Sequence, residues 1–111
     1  MIAYNGWKNW ETWVVNLWLT NDQELYDLTL AINYETKYFS ESEAITYVAT
    51  EIRESTMAIW DTMTGNVDHW ALGLFTDLIQ GSMALVDWDE IARSVREDWL
   101  SRGSHFTEEE G

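Results

Sequence analysis

No proline occurs anywhere in the 111 residues. Proline removes a backbone donor and clashes with the preceding turn, so its absence leaves long helices open to this chain. Six glycines are too few to interrupt it often. Apolar residues at helical spacing then decide where helices form. They predict an all-α, single-domain bundle of about five helices over residues 1–103, followed by a disordered acidic tail over 104–111.

The first helix is expected from about Trp10 to Leu19. Asn9 is its N-cap and Glu11 suits the positive end of the dipole. Trp10, Trp13, Val14, Leu17 and Trp18 recur at i, i+3, i+4, i+7 and i+8 and predict a buried stripe. A second helix runs to Tyr34, with Asn21 as cap and Leu25, Leu28 and Ile32 inward. Ser40 and Glu43 have capping-box spacing and start a third helix. Its inward positions are Ile45, Val48, Ile52 and Ile59, and the Ser55-Thr56 pair is a candidate bend. A fourth helix is expected over about Val67 to Gln80, capped by Asn66 and ended by Gly81, with Trp70, Leu74 and Leu78 as its stripe. The fifth is expected from Trp88 to Ser101, with Asp87 as cap, Ile91, Ala92, Val95 and Trp99 inward, and Gly103 as stop. Met1 to Lys8 reads as irregular. Met83 to Val86 reads as either a linker or a brief extended segment.

Six Lys and Arg against twenty Asp and Glu leave a net charge of −14. Nucleic acids and anionic membranes are polyanions, so neither is an expected direct partner. With 46% hydrophobic residues the chain is nonetheless built to fold. The absence of cysteine excludes disulfides, thiolate metal sites and a cysteine nucleophile. No apolar run approaches the roughly 18 residues of a membrane span. Met1 to Trp10 lacks a signal-peptide pattern, and a cytoplasmic location is expected.

Little in the sequence points to catalysis. His69 and His105 have no partner at metal-ligand spacing, so neither a metal nor another cofactor is expected. No glycine-flanked nucleophile elbow and no phosphate-binding glycine loop occur. The chain reads as a non-enzyme. Trp10, Trp13 and Trp18 keep helical spacing and read as core. Trp7 and Trp60 fit the periodicity less well and are candidate exposed anchors, since Trp is enriched at binding hot spots.

The acids are the stronger candidates. Residues 1–40 carry five acids and two bases, residues 41–80 seven and one, and residues 81–111 eight and three. Glu51, Glu54, Asp61 and Asp68 follow at intervals of three and seven, which keeps them near one helix face. Glu54 and Asp61 would stand roughly 10 Å apart at about 1.5 Å rise per residue. Asp87, Asp89, Glu90, Glu97 and Asp98 cluster on the last helix, where Arg93 is spaced to pair with Asp89 and Glu97. Carboxylates fixed on helices can imitate phosphates, which lie about 3.4 Å apart along each DNA strand. The plainer reading of the same surface is a solvated face.

The opening Tyr4-Asn5-Gly6-Trp7-Lys8-Asn9-Trp10-Glu11-Thr12-Trp13, with Val14-Val15-Asn16-Leu17-Trp18-Leu19 and Asn21-Asp22 after it, resembles a group of short phage and mobile-element proteins. Val86-Asp87-Trp88-Asp89-Glu90-Ile91-Ala92 is similar to their closing helix. The specific match covers about the first twenty-two residues, and no active residue carries over. Within it Asn9, Glu11 and Thr12 have structural roles as cap and first turn, and Asn16 is expected to hydrogen-bond a neighbouring loop. The resemblance implies phage or prophage origin, hence the cytoplasm of a bacterial host. Small acidic phage proteins include many inhibitors of defence nucleases, both anti-restriction and anti-CRISPR. The expected function is therefore inhibition of a basic nucleic-acid-binding protein, a Cas effector or restriction enzyme, by an acidic surface that occupies its groove. The alternative is a phage structural or regulatory adaptor.

Overall fold

The computed structural model describes residues 4–63, 65 and 69–110, with side chains over 4–62, 65 and 73–102. Among these the chain forms helices α1 (Trp10–Asn21), α2 (Gln23–Tyr34), α3 (Glu41–Met63), α4 (His69–Met83) and α5 (Trp88–Glu110). No strand occurs among the described residues beyond one isolated bridge, Tyr4 to Trp7. The protein is a small all-α bundle, and no described helix is long and apolar enough to cross a membrane.

The core lies between α3 and α5, with α1 and α2 laid over it. Val48, Ala49 and Ile52 meet Ile91, Ala92 and Val95, and Leu19, Ile32 and Val86 complete the cluster. These positions match the expected stripes of α2, the first half of α3, and α5. Val86 makes the Met83–Val86 run a core-filling connector: Ala84 and Leu85 turn, and Val86 is buried. Ile59 is exposed, against expectation, because α3 outruns the core after Ile52. The helix passes through Ser55-Thr56 unbroken, with the Thr56 hydroxyl donating to the Ile52 carbonyl at 2.8 Å.

The expected inward stripe of α1 is overturned. Trp10 is 48% and Trp18 62% exposed, and Leu17 is exposed as well. Thr12 and Leu19 are buried, and Val15 packs on the core. Apolar residues occupy nearly every side of this helix, so periodicity does not select the inward arc. Tight packing selects the side with the smaller Thr12 and Val15. The Asn16 Oδ1 is buried without a hydrogen-bond partner among the described residues, so the expected loop contact by that oxygen is not made.

The outward turn of α4 is a second correction. Leu74, Phe75 and Leu78 are all more than half exposed, and α4 adds only its last residue, Met83, to the described core. Expected caps at Asn66, and the acid Asp68, lie outside the described residues, as do the side chains of Trp70 and both histidines. Neither Gly81 nor Gly103 ends its helix. A helical glycine costs only about 1 kcal/mol relative to alanine and stops a helix only when it turns left-handed. Residues 104–110, expected as a disordered tail, therefore continue α5.

The caps are local and mostly as read. Asn9 Oδ1 accepts the Thr12 N–H at 2.9 Å. Ser40 and Glu43 form the reciprocal box, each side chain accepting the other's backbone N–H at 3.3 Å. Asp22, rather than Asn21, caps α2 by accepting the Leu25 N–H at 3.0 Å. Asn21 is the last residue of α1 and donates to the Leu17 carbonyl.

Candidate functional site

The N-terminal segment is ordered by its own turn. Asn5 and Gly6 adopt φ of 47° and 87°, the left-handed pair of a type I′ hairpin turn. Tyr4 and Trp7 exchange two backbone hydrogen bonds across it, at 2.6 and 2.7 Å. The Asn-Gly pair was the signal for this turn, in a stretch read as irregular. Tyr4 then packs on Trp13, ring centroids 5.0 Å apart. Trp7 rests half-buried against the core, which corrects its reading as an exposed anchor.

From this turn the chain reaches the start of α5. The Lys8 N–H donates to Glu90 Oε1 at 3.0 Å, and Asn9 Nδ2 donates to the Leu85 carbonyl at 2.6 Å. Thr12 Oγ1 donates to Asn9 Oδ1 at 2.6 Å and accepts the Asp87 N–H at 2.9 Å. Asp87 Oδ1 caps α5 through the Glu90 N–H, and its Oδ2 lies 4.0 Å from Lys8 Nζ. Asp87 and Glu90 thus join α5 to the N-terminal segment. Asp98 has a similar tie: it accepts the Tyr26 hydroxyl at 2.7 Å and pairs with Arg102 at 3.4 Å. Burial, and then the bond to Asp98, push the Tyr26 phenol above its ordinary pKa.

The remaining candidates divide by helix. Asp89 and Glu97 are exposed on α5. Arg93 forms no ion pair with either within 4.0 Å, so the expected i±4 neutralisation is absent. On α3, Glu54 and Asp61 are exposed, while Glu51 and Trp60 are half-buried.

Glu54 and Asp61 border a groove of about 580 Å³ between α3 and the α4–α5 junction. Met57, Met83, Val86 and Trp88 line it, and Ala58 and Ala84 keep it open. A second depression of about 370 Å³ shares Arg53, Val86 and Trp88 with it and is bordered by Asp87 and Asp89. The two form one furrow along α3, from Thr46 to Asp61. Periodicity cannot reveal this furrow, because its apolar lining comes from three helices and the α4–α5 connector. Among the described residues no group of three or more His, Asp or Glu side chains is placed to hold a metal ion.

Neither a curated protein nor a solved structure matches the chain. Residues 1–100, which take in the hairpin turn, the furrow and the core, match the family of unknown function DUF7249, and the chain belongs to that family.

Proposed function

We propose that this protein is a phage-encoded, non-enzymatic inhibitor that binds a basic nucleic-acid-binding protein of bacterial defence, a Cas effector or restriction enzyme. It acts in the host cytoplasm by placing carboxylates where the target takes phosphates. The observation that carries this reading is the exposure of Glu54 and Asp61 on one face of α3, beside the groove. A helix holds such charges at fixed spacing, roughly 10 Å apart at about 1.5 Å per residue. The surrounding charge of −14 adds long-range attraction to a basic groove. The phage assignment rests on the resemblance of the first twenty-two residues.

The test is phage plating on bacterial strains that each carry one restriction or CRISPR system. Wild-type protein restores plating on at least one strain, and Glu54→Lys with Asp61→Lys abolishes that rescue. Unchanged plating on every strain overturns the reading in favour of an adaptor.

A further inference from the structure

We propose that the furrow along α3 seats a basic amphipathic helix of the partner. This deepens the functional reading above and rests on it for the role of Glu54 and Asp61, but it adds an apolar contact that phosphate imitation does not require.

The chemistry of the furrow specifies the occupant. Its lining toward Asp61 is apolar and adaptable, with Met57, Met83, the buried Val86 and Trp88, while toward Thr46 it turns polar, with Thr46, Thr50 and Arg53. Methionine is unbranched and polarizable, and such side chains refit to varied apolar faces. The border is acidic, with Glu54 and Asp61 at one end and Asp89 at the other. Its cations are Arg53 and Lys8, and Lys8 lies beside Asp87. An apolar floor at the Met57 end, under a border in which acids outnumber bases, fits an occupant with one apolar and one cationic side.

The backbone of the occupant is also constrained. A peptide in β-strand form binds by adding to a sheet edge, and none exists among the described residues. Away from such an edge its buried N–H and C=O groups would go unpaired. A helix pairs them internally. From Thr46 to Asp61 the furrow runs about 22 Å at about 1.5 Å per residue, room for about four turns. A second copy of the chain is disfavoured, since each copy carries −14 and would set acid against acid.

The test uses the full chain and a labelled 18-residue peptide with leucine at i, i+3, i+4 and i+7 spacing and lysine elsewhere. A scrambled peptide of the same composition is the control. Fluorescence anisotropy should show the amphipathic peptide binding at least tenfold more tightly than the scrambled one. Ala58→Trp fills the groove from an exposed helical position and should weaken binding at least tenfold without lowering Tm. Glu24→Lys with Asp27→Lys, on α2, should change it less than threefold. Equal binding of both peptides, or no effect of Ala58→Trp, overturns the proposal. So does a concentration-dependent dimer in sedimentation that Ala58→Trp abolishes. Loss of phage rescue in Glu54→Lys/Asp61→Lys but not in Ala58→Trp would sink the helix and leave the acidic inhibitor standing.

Discussion

The Thr12 hydroxyl accepts the backbone N–H of Asp87 at 2.9 Å, tying α1 to the first residue before α5 across 75 positions of sequence. The same oxygen donates to Asn9 Oδ1, so one buried hydroxyl serves the caps of two helices. Thr12→Val should destabilise by about 1–3 kcal/mol, the cost of leaving buried polar groups unpaired. Thr12→Ser should recover most of that loss. Urea denaturation of the three proteins measures it, and a neutral Thr12→Val would show that the junction does not depend on this bond.

The outer face of α1 should tolerate a truncation that the core does not. Trp18 is 62% exposed, and Trp18→Ala should cost under about 1 kcal/mol despite the large side chain. Leu19→Ala and Ile52→Ala should each cost about 2–5 kcal/mol. Thermal unfolding of the three variants decides it. A loss above 2 kcal/mol in Trp18→Ala would return that ring to the core.

This contrast marks where sequence reading succeeds. Ile91, Ala92, Val95 and Trp99 repeat on one arc of α5 with polar residues opposite, and that arc is the buried one. In α1 the tryptophans imply a stripe, but Val15 and Leu19 offer a second apolar arc, and neighbour packing chooses between them. The acidic candidates were legible as charges and not as roles. Asp87 and Glu90 differ from Asp89 because Thr12 and Lys8 approach the first two from the far end of the chain. Local spacing carries no record of that approach.

Arg96 joins α5 to the α2–α3 connection. Its side chain is 8% exposed, donates to Glu41 at 3.0 Å and Thr36 Oγ1 at 2.9 Å, and lies over the Trp99 ring at 5.9 Å. Glu41 is 65% exposed, so water screens its side of the pair. Glu41→Gln should therefore cost only about 1 kcal/mol. Arg96→Ala also empties packed volume and should cost about 2–4 kcal/mol. Chemical denaturation checks the order, and equal losses would contradict it.

Alkaline stability should carry the signature of one tyrosine. The bond from the Tyr47 hydroxyl to Glu35 pushes its pKa up to about 12. The folded state thus holds this proton where the unfolded chain, near 10, releases it. The stabilisation is complete below pH 10 and is lost as pH rises toward about 12. Tyr47→Phe should flatten the fall of Tm across that window and remove the latest-titrating component of tyrosinate absorbance. Glu43 acts at the other extreme. The Ser40 hydroxyl, then the Ser40 N–H, hold its carboxyl below its usual 4.5. Its contribution is present above that value and is lost as pH falls below it.

The two acidic groups should separate cleanly under charge reversal. Among the described residues Glu51 and Glu54 accept no hydrogen bond that caps a helix or joins two elements. Replacing both by lysine removes repulsion within a chain of net charge −14, so Tm should hold steady or rise slightly. Asp87, Asp89 and Glu90 contain the cap of α5 and the acceptor of the Lys8 N–H. Reversing these three should destabilise by about 1–2 kcal/mol through the cap alone. A positive charge at a helix N-terminus adds to that loss. Defence inhibition should then weaken in the α3 double variant at unchanged stability. In the α5 variant, any loss should track unfolding. Circular dichroism melts run beside phage plating give both readouts. An α5 variant that melts like wild type would remove the structural role assigned to Asp87 and Glu90. An α3 variant that inhibits fully would leave its acids as a solvated face.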